Sequence, residues 1–315
     1  MTKLILWRLL AGAGVLWVVS ILIFAGTQLL PGDVADAILG RNATPETVAA
    51  LREQLGLNQP VLTRYFNWMW GFVRGDFGTS VATGRDIGEM IGGRAYNTAL
   101  LAGATALYSV PCAILLGIIA AILNEKHPLA DRGISAVALL FISMPEFLLA
   151  YLLIFWLAIG LGWFPVISAP GETWVETARG LVMPSLALAG MVVPYVMRMT
   201  RAAVLNELPN AYFEMALLKG VTRNRAVFKY AFPVALAPIL NVVAINLAYL
   251  VVGVVVIEVI FNYPGLGQLM VDAVAFRDIP TVQTTGMIFC TVFVLLNLLA
   301  DVLAIISNPR LRHPR

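Results

Sequence analysis

From Leu9 to Gly32 the chain carries no ionisable side chain, and the same holds from Gly133 to Pro145. A helix needs roughly 20 apolar residues to cross the ~30 Å hydrocarbon layer of a bilayer. About six runs of this kind recur, near 9–30, 98–123, 133–160, 180–200, 233–260 and 282–306. The pattern predicts an all-α polytopic membrane protein. No internal repeat or second soluble domain interrupts it, so one membrane domain over 1–315 is expected.

Two stretches between the runs have a different periodicity. In the segment at about 31–97, Thr44-Pro45 supplies a capping hydroxyl and a proline at the first helical position. Val48, Leu51 and Leu55 follow on one face, with Gly56 placed to end the helix. A second stripe comprises Leu62, Tyr65, Phe66, Met69 and Val73, with Trp68 and Trp70 beside it. An amphipathic cap lying on the outer membrane surface is the natural reading; a small subdomain packing these residues on itself is the alternative. The loop at about 201–232 contains PNAYFEMALLKGVTRNRAVFKYAFP. Pro209 is placed to start a helix, and Tyr212, Ala216 and Gly220 recur every four residues along one face. Gly220 is a natural stop, and Thr222 is placed to cap a second helix running toward Pro233. Periodicity alone leaves two roles for this loop. It either anchors at the anionic inner leaflet or presents small residues to a partner protein.

Composition agrees with lipid as solvent. The chain is 60% hydrophobic and 12% charged, with a mean hydropathy of +0.85, against about 45–50% and about 25% in soluble domains. The first run is longer than the roughly 7–15 residues of a signal h-region and is followed by no small-x-small site, so a retained first span is expected. The net charge of +3 matters less than its placement. With a cytoplasmic N-terminus, the inner segments hold Lys3, Arg8, Lys126, Arg132, Arg198, Arg201 and the loop cations Lys219, Arg223, Arg225 and Lys229, while the short outer loops hold Arg179 and Arg277. Positive-inside bias therefore puts both termini and the 201–232 loop in the cytoplasm. Cys112 and Cys290 both fall inside spans and give no compartment signal.

Energy-coupling chemistry is missing from the sequence. A P-loop ends in Gly-Lys, yet the lysines follow Thr2, Glu125, Leu218 and Phe228. His127 and His313 form no H-E-x-x-H, and no serine sits in G-x-S-x-G. Neither an enzyme nor a resident cofactor or metal is expected, and nothing points to nucleic acid. The ionisable residues inside the spans are Glu146, Glu258 and Asp301. An intramembrane carboxylate costs about 2.5–3.5 kcal/mol on insertion scales, so each should face a cavity or a partner. Glu258 and Asp301 lie near span ends, where interfacial water is the simpler explanation. Glu146 lies deeper, after Pro145, and its pore-lining and structural readings are even. Asn241 and Asn246 either line a polar path or bond between helices.

The spacing in the loop adds a further signal. Glu214-Met215-Ala216, Gly220 and Tyr230-Ala231-Phe232-Pro233 resemble the E-A-A-x3-G-x9-I-x-L-P loop of bacterial ABC-importer permeases, with Met215, Tyr230 and Phe232 departing from it. The dipeptide/oligopeptide/nickel branch is resembled in Leu30-Pro31-Gly32-Asp33, LREQLGLNQP, GDFGTS, Arg198-Met199-Thr200-Arg201, FNYPGLG from Phe261 to Gly267, Arg277-Asp278 and Asn308-Pro309-Arg310. The set covers nearly the whole chain. The resemblance implies a cytoplasmic coupling helix that enters a cleft on a separate ATPase, formed here by Tyr212, Glu214, Ala216, Lys219 and Gly220. The family usually has an acid where this chain has Ala211, and Glu146 also departs from its pattern. The implied partners are a second homologous permease (a heterodimer), two cytoplasmic ATPases that bind ATP and Mg, and a periplasmic or lipid-anchored solute-binding protein. The implied solutes are di- or oligopeptides or similar small molecules, and Glu146, Asn241, Asn246 and Glu258 are candidates for the translocation path. Glu146 is a candidate to receive a cationic group such as a peptide amino terminus. An ion-gradient-driven secondary transporter or channel is the alternative, and a scaffold without transport is a third class.

Overall fold

The computed structural model describes residues 2–28, 44–54 and 58–307. The first half contains α1 (Thr2–Gln28), α2 (Pro45–Gln54), α3 (Val61–Arg74), α4 (Ile87–Lys126), α5 (Pro128–Ser143) and α6 (Glu146–Leu153), the last continuing as a π-helical turn, Ile154–Gly160. The second half contains α7 (Trp174–Glu207), α8 (Ala211–Leu218), α9 (Arg223–Ala226), a π-helical turn Val227–Ala231, α10 (Phe232–Ile260), α11 (Leu266–Ala275) and α12 (Ile279–Ser307). Among the described residues, the sole β feature is an isolated bridge between Thr79 and Asp86. Five stretches are each long and apolar enough to span a membrane: Leu6–Gln28, Ile87–Asn124, Trp174–Glu207, Arg223–Ile260 and Ile279–Val302. A sixth crossing is reached if one bent helix pair counts as a single span. Pro128–Ser143 and Glu146–Gly160 meet at a bend of 102°. The sequence predicts one straight run over 133–160; Pro145 lacks an N–H and biases Met144 to an extended backbone, which divides that run. The expected features at Leu30-Pro31-Gly32-Asp33, Leu55, Gly56 and Asn308-Pro309-Arg310 lie outside the described residues.

The chain forms two compact units. One contains residues 11–98 and 264–292. In it, Thr44 takes up its expected role before α2, its Oγ1 accepting from the Thr47 N–H at 3.3 Å. Helix α3 packs on α1 through Tyr65, whose hydroxyl is 2.8 Å from Ser20 Oγ, and Trp68, which stacks on Phe24 with centroids 6.0 Å apart. Tyr65 therefore leaves the predicted stripe for the α1 side, whereas Leu62, Phe66 and Val73 stay exposed on the other. The GDFGTS and Arg277-Asp278 motifs meet in this unit. The buried Asp278 carboxylate accepts from Ser80 Oγ at 2.5 Å, Thr281 Oγ1 at 2.7 Å and the Val81 N–H at 3.1 Å. One side chain thus ties the segment before α4 to the first turn of α12.

The other unit is built on residues 99–263, with the described parts of 1–10 and 293–315. Its centre is α7 against α10, flanked by α5 and α6. Helix α7 starts in a capping box: Thr173 Oγ1 accepts from the Glu176 N–H, and Glu176 accepts from the Thr173 N–H, each at 3.3 Å. Beside it, α4 approaches so closely at Gly117 that a Cβ there would lie 2.6 Å from the Met197 carbonyl oxygen. Arg201 on α7 grips Asp131 on α5 in a two-pronged pair, Nε to Oδ1 at 2.6 Å, and its Nη2 also donates to Asn124 Oδ1 on α4 at 3.1 Å. Asp131 is buried, so the pair stands largely out of water. Asp301 Oδ2 accepts from Arg8 Nη1 at 2.6 Å in an ion pair, which accounts for its place near the end of α12.

Candidate functional site

Two features emerge in the unit built on 99–263. The first is the loop between α7 and α10. Helix α8 begins at Ala211, two residues later than Pro209 predicts: Pro209 lies in the turn, and the Asn210 carbonyl accepts the Phe213 and Glu214 N–H groups at 2.9 and 3.2 Å. The Asn210 amide is turned back to Glu207 Oε2 at 2.7 Å, and the Tyr212 hydroxyl donates to the same oxygen at 2.6 Å. Partial burial and this anionic acceptor push the Tyr212 phenol up to about 12, so it remains a donor at any physiological pH. Glu207 escaped the sequence reading, although an acid ending one helix just before a proline turn is a visible signal.

The C-terminus of α8 closes as the glycine predicts. Gly220 has φ of +81°, its N–H donates to the Leu217 carbonyl at 2.9 Å, and the Val221 N–H donates to Ala216 at 3.1 Å. This double bond pattern satisfies two orphan carbonyls and depends on a left-handed residue. The predicted exposed small-residue face needs correction at Ala216, which is buried with Phe213 against the rest of the chain. The exposed rim consists instead of Tyr212, Glu214, Met215, Leu218, Lys219 and Gly220, with Leu218 76% exposed. Thr222 occupies the N-cap position of α9 but makes no side-chain cap bond. A hollow of about 280 Å³ lies beside α8, bounded by Leu208, Pro209, Phe213, Glu214, Leu217 and Arg223.

The second feature is a cavity of about 500 Å³ between α6, α7 and α10. Glu146, at the first position of α6 after the break, shares it with Met191 and Tyr195 from α7 and with Asn246, Tyr249 and Gly253 from α10. A Cβ built at Gly253 would lie 3.4 Å from Glu146 Oε2, so the carboxylate reaches the backbone of α10. The structure thus brings together two of the predicted path residues, Glu146 and Asn246. Asn241 is half-buried outside the cavity lining, one helical turn before Ile245, which does line it. Glu258 is fully buried and lies away from the cavity, which overturns its expected contact with interfacial water. Tyr195, Tyr249 and Met191 were missed by the sequence reading, because aromatic and thioether side chains in apolar runs carry no distinguishing pattern.

The model for the binding-protein-dependent transport system inner membrane component matches residues 113–313, and the model for the N-terminal part of such components matches residues 1–92. The chain belongs to this family. It is an inner-membrane permease subunit of an ABC importer, a transport protein rather than an enzyme, and the ion-gradient alternative falls with that assignment. The permease is 37% identical over 317 residues to a Brucella abortus permease protein named for a peptide transport system, covering 99% of this chain and 100% of the relative. It is 34% identical over 313 residues to the glutathione transport system permease protein GsiC of Escherichia coli, with 99% and 100% covered. Its fold is like that of a chain in the MetNI methionine ABC transporter in an inward-facing conformation, with a TM-score of 0.56, 20% identity, and 68% of this chain and 94% of the other covered.

Proposed function

We propose that this permease pairs with a second homologous permease around a midline path for peptides or similar small solutes, and that α8 transmits the force of two cytoplasmic ATPases to it. A periplasmic or lipid-anchored solute-binding protein delivers the solute from the other side. In this reading residues 1–315 act as one permease domain of the bacterial inner membrane. Both termini and the 201–232 loop are cytoplasmic, and the segment at about 31–97 lies outside. The peptide class rests on the relatives, which are named for peptide and glutathione transport.

The observation that carries the coupling role is the construction of α8. A short helix, braced at one end by Glu207 and closed at the other by Gly220, projects Tyr212, Glu214, Met215, Leu218 and Lys219 from a loop between two spans. Ala216 and Phe213 root it in the subunit. Such a knob moves as a rigid body with α7 and α10. Its capture by a closing ATPase pair favours one arrangement of the spans over another, which is a population shift driven by differential contact. The path is assigned to Glu146 and Asn246 at the cavity. Asn241 extends it along the Ile245 face of α10, and Glu258 supports the helix behind it.

The test is made on the assembled importer in proteoliposomes. Leu218→Glu places a charge on the exposed rim without disturbing the interior of the subunit. Solute uptake and binding-protein-stimulated ATP hydrolysis should both fall at least about tenfold, the loss expected when an apolar interface contact is replaced by an unpaired charge. The permease's own melting temperature should not change. Undiminished uptake by this variant would remove α8 from the coupling path.

A further inference from the structure

The cavity beside Glu146 has more chemical character than a generic solute path requires. Its volume, about 500 Å³, lies within the ordinary range for small-molecule sites. Its walls are mainly aliphatic and thioether surface, from Leu188, Met191, Val192 and Leu250. Into this apolar space projects one carboxylate. No hydrogen bond or ion pair to Glu146 occurs among the described residues, whereas the other intramembrane acids are satisfied: Asp301 by Arg8, and Glu258 within the packed interior. An acid at membrane depth with no partner among the described residues is placed to receive one from elsewhere.

The groups around the carboxylate suit a positively charged visitor. Glu146 sits at the first residue of α6, where the helix dipole stabilises negative charge. Across the cavity, Asn246 donates its amide N–H to the Val242 carbonyl at 2.9 Å, which leaves Oδ1 as an acceptor. Tyr195 and Tyr249 are half-exposed and offer hydroxyl oxygens and ring faces, both attractive to cations. The Tyr249 ring is held edge-to-face on Phe293 at 6.4 Å. Acceptors and π-faces converge on one small space, and among the described residues no lysine or arginine lines it.

We propose that this cavity binds a primary ammonium group of the solute in transit, with the Glu146 carboxylate as counter-ion, Asn246 Oδ1 and the two tyrosines as secondary acceptors, and the apolar wall receiving the adjoining aliphatic side chain. The inference rests on the reading of this face as the solute path and deepens it. The permease then selects for a free amine independently of the binding protein. A solute with that amine blocked passes less readily even when it is delivered.

The experiment reads the local charge preference directly. In the assembled importer, with Cys112 and Cys290 replaced by serine, Val252→Cys puts a thiol on the cavity lining at a residue that is 58% exposed. Its reaction with cationic aminoethyl methanethiosulfonate is compared with that of anionic sulfonatoethyl methanethiosulfonate. Glu146→Gln should lower the cation-to-anion rate ratio about tenfold, as expected for one charge at a few ångströms in a partly desolvated site. Glu146→Asp, which keeps the charge, should restore most of it. Tri-alanine should protect the thiol from the cationic reagent in the parent and not in Glu146→Gln. If the thiol reacts but its ratio is the same with Glu146 and with Gln, the ammonium site is overturned and the path reading survives. If it reacts with neither reagent in any nucleotide state, the cavity has no aqueous access and both readings fall.

Discussion

At Asp131 burial and charge meet in one ion pair. The residue is 3% exposed and held by Arg201, whose guanidinium also reaches Asn124. The interaction joins α4, α5 and α7, the last of which runs on to α8. Removing one partner leaves the other charge buried and unpaired, a loss of about 3–5 kcal/mol, whereas replacing both by apolar residues of similar volume is far milder. Arg201→Met should therefore lower the melting temperature in detergent steeply, and Asp131→Leu with Arg201→Met should recover much of it. An additive double variant would mean the pair contributes nothing as a pair. The arginine was legible in the sequence as part of Arg198-Met199-Thr200-Arg201; its acid was not. Seventy positions separate the two residues, and no local pattern links them.

At the scale of elements, α3 separates what periodicity reveals from what packing decides. Its apolar residues form two faces. Tyr65 and Trp68 turn to Ser20 and Phe24 on α1, while Leu62, Phe66, Trp70 and Val73 remain uncovered. Ser20 and Phe24 belong to the apolar stretch Leu6–Gln28, so α3 lies alongside a membrane-spanning helix rather than beyond its end. Arg74 stacks on Trp70 at 4.4 Å, a pairing suited to an interface between lipid and water. Trp70 should consequently be quenched by lipids brominated on their acyl chains, measured as the fluorescence lost relative to a Trp70→Phe variant. Equal emission in brominated and ordinary lipid would place the exposed face in water or against protein. Helix α8 offers the opposite lesson. Its stop at Gly220 was readable because a left-handed C′ position has a strong residue preference. Its inward face was not, since Tyr212, Ala216 and Gly220 share a periodicity but not an environment.

At the scale of the whole molecule, the distribution of lysine and arginine makes the topology testable. Positive-inside bias places the turn at His127 in the cytoplasm and the loop at Glu172 outside. Single cysteines introduced at these two exposed positions, with the native pair replaced, should be blocked by an impermeant maleimide from opposite sides of the membrane. Labelling of both from one side would overturn the orientation. An even number of crossings follows only if α5 and α6, bent by 102°, count as one span. That bend also brings the Glu146 carboxylate to the cavity; in a straight helix the residue would be one more position on an apolar cylinder.

The sequence by itself determined the solvent, the approximate places of the apolar runs and the place where α8 stops at Gly220. Hydrophobic run length, the absence of a Gly-Lys pair and the preferences of glycine and proline are local properties that act wherever the chain goes. The tertiary structure alone decided which acids are satisfied. Asp131, Asp278 and Asp301 found partners far along the chain, Glu258 became enclosed, and Glu146 was left facing an apolar cavity. The physical reason is that desolvation and charge pairing depend on what packs around a group, and those neighbours are chosen by the fold rather than by proximity in sequence.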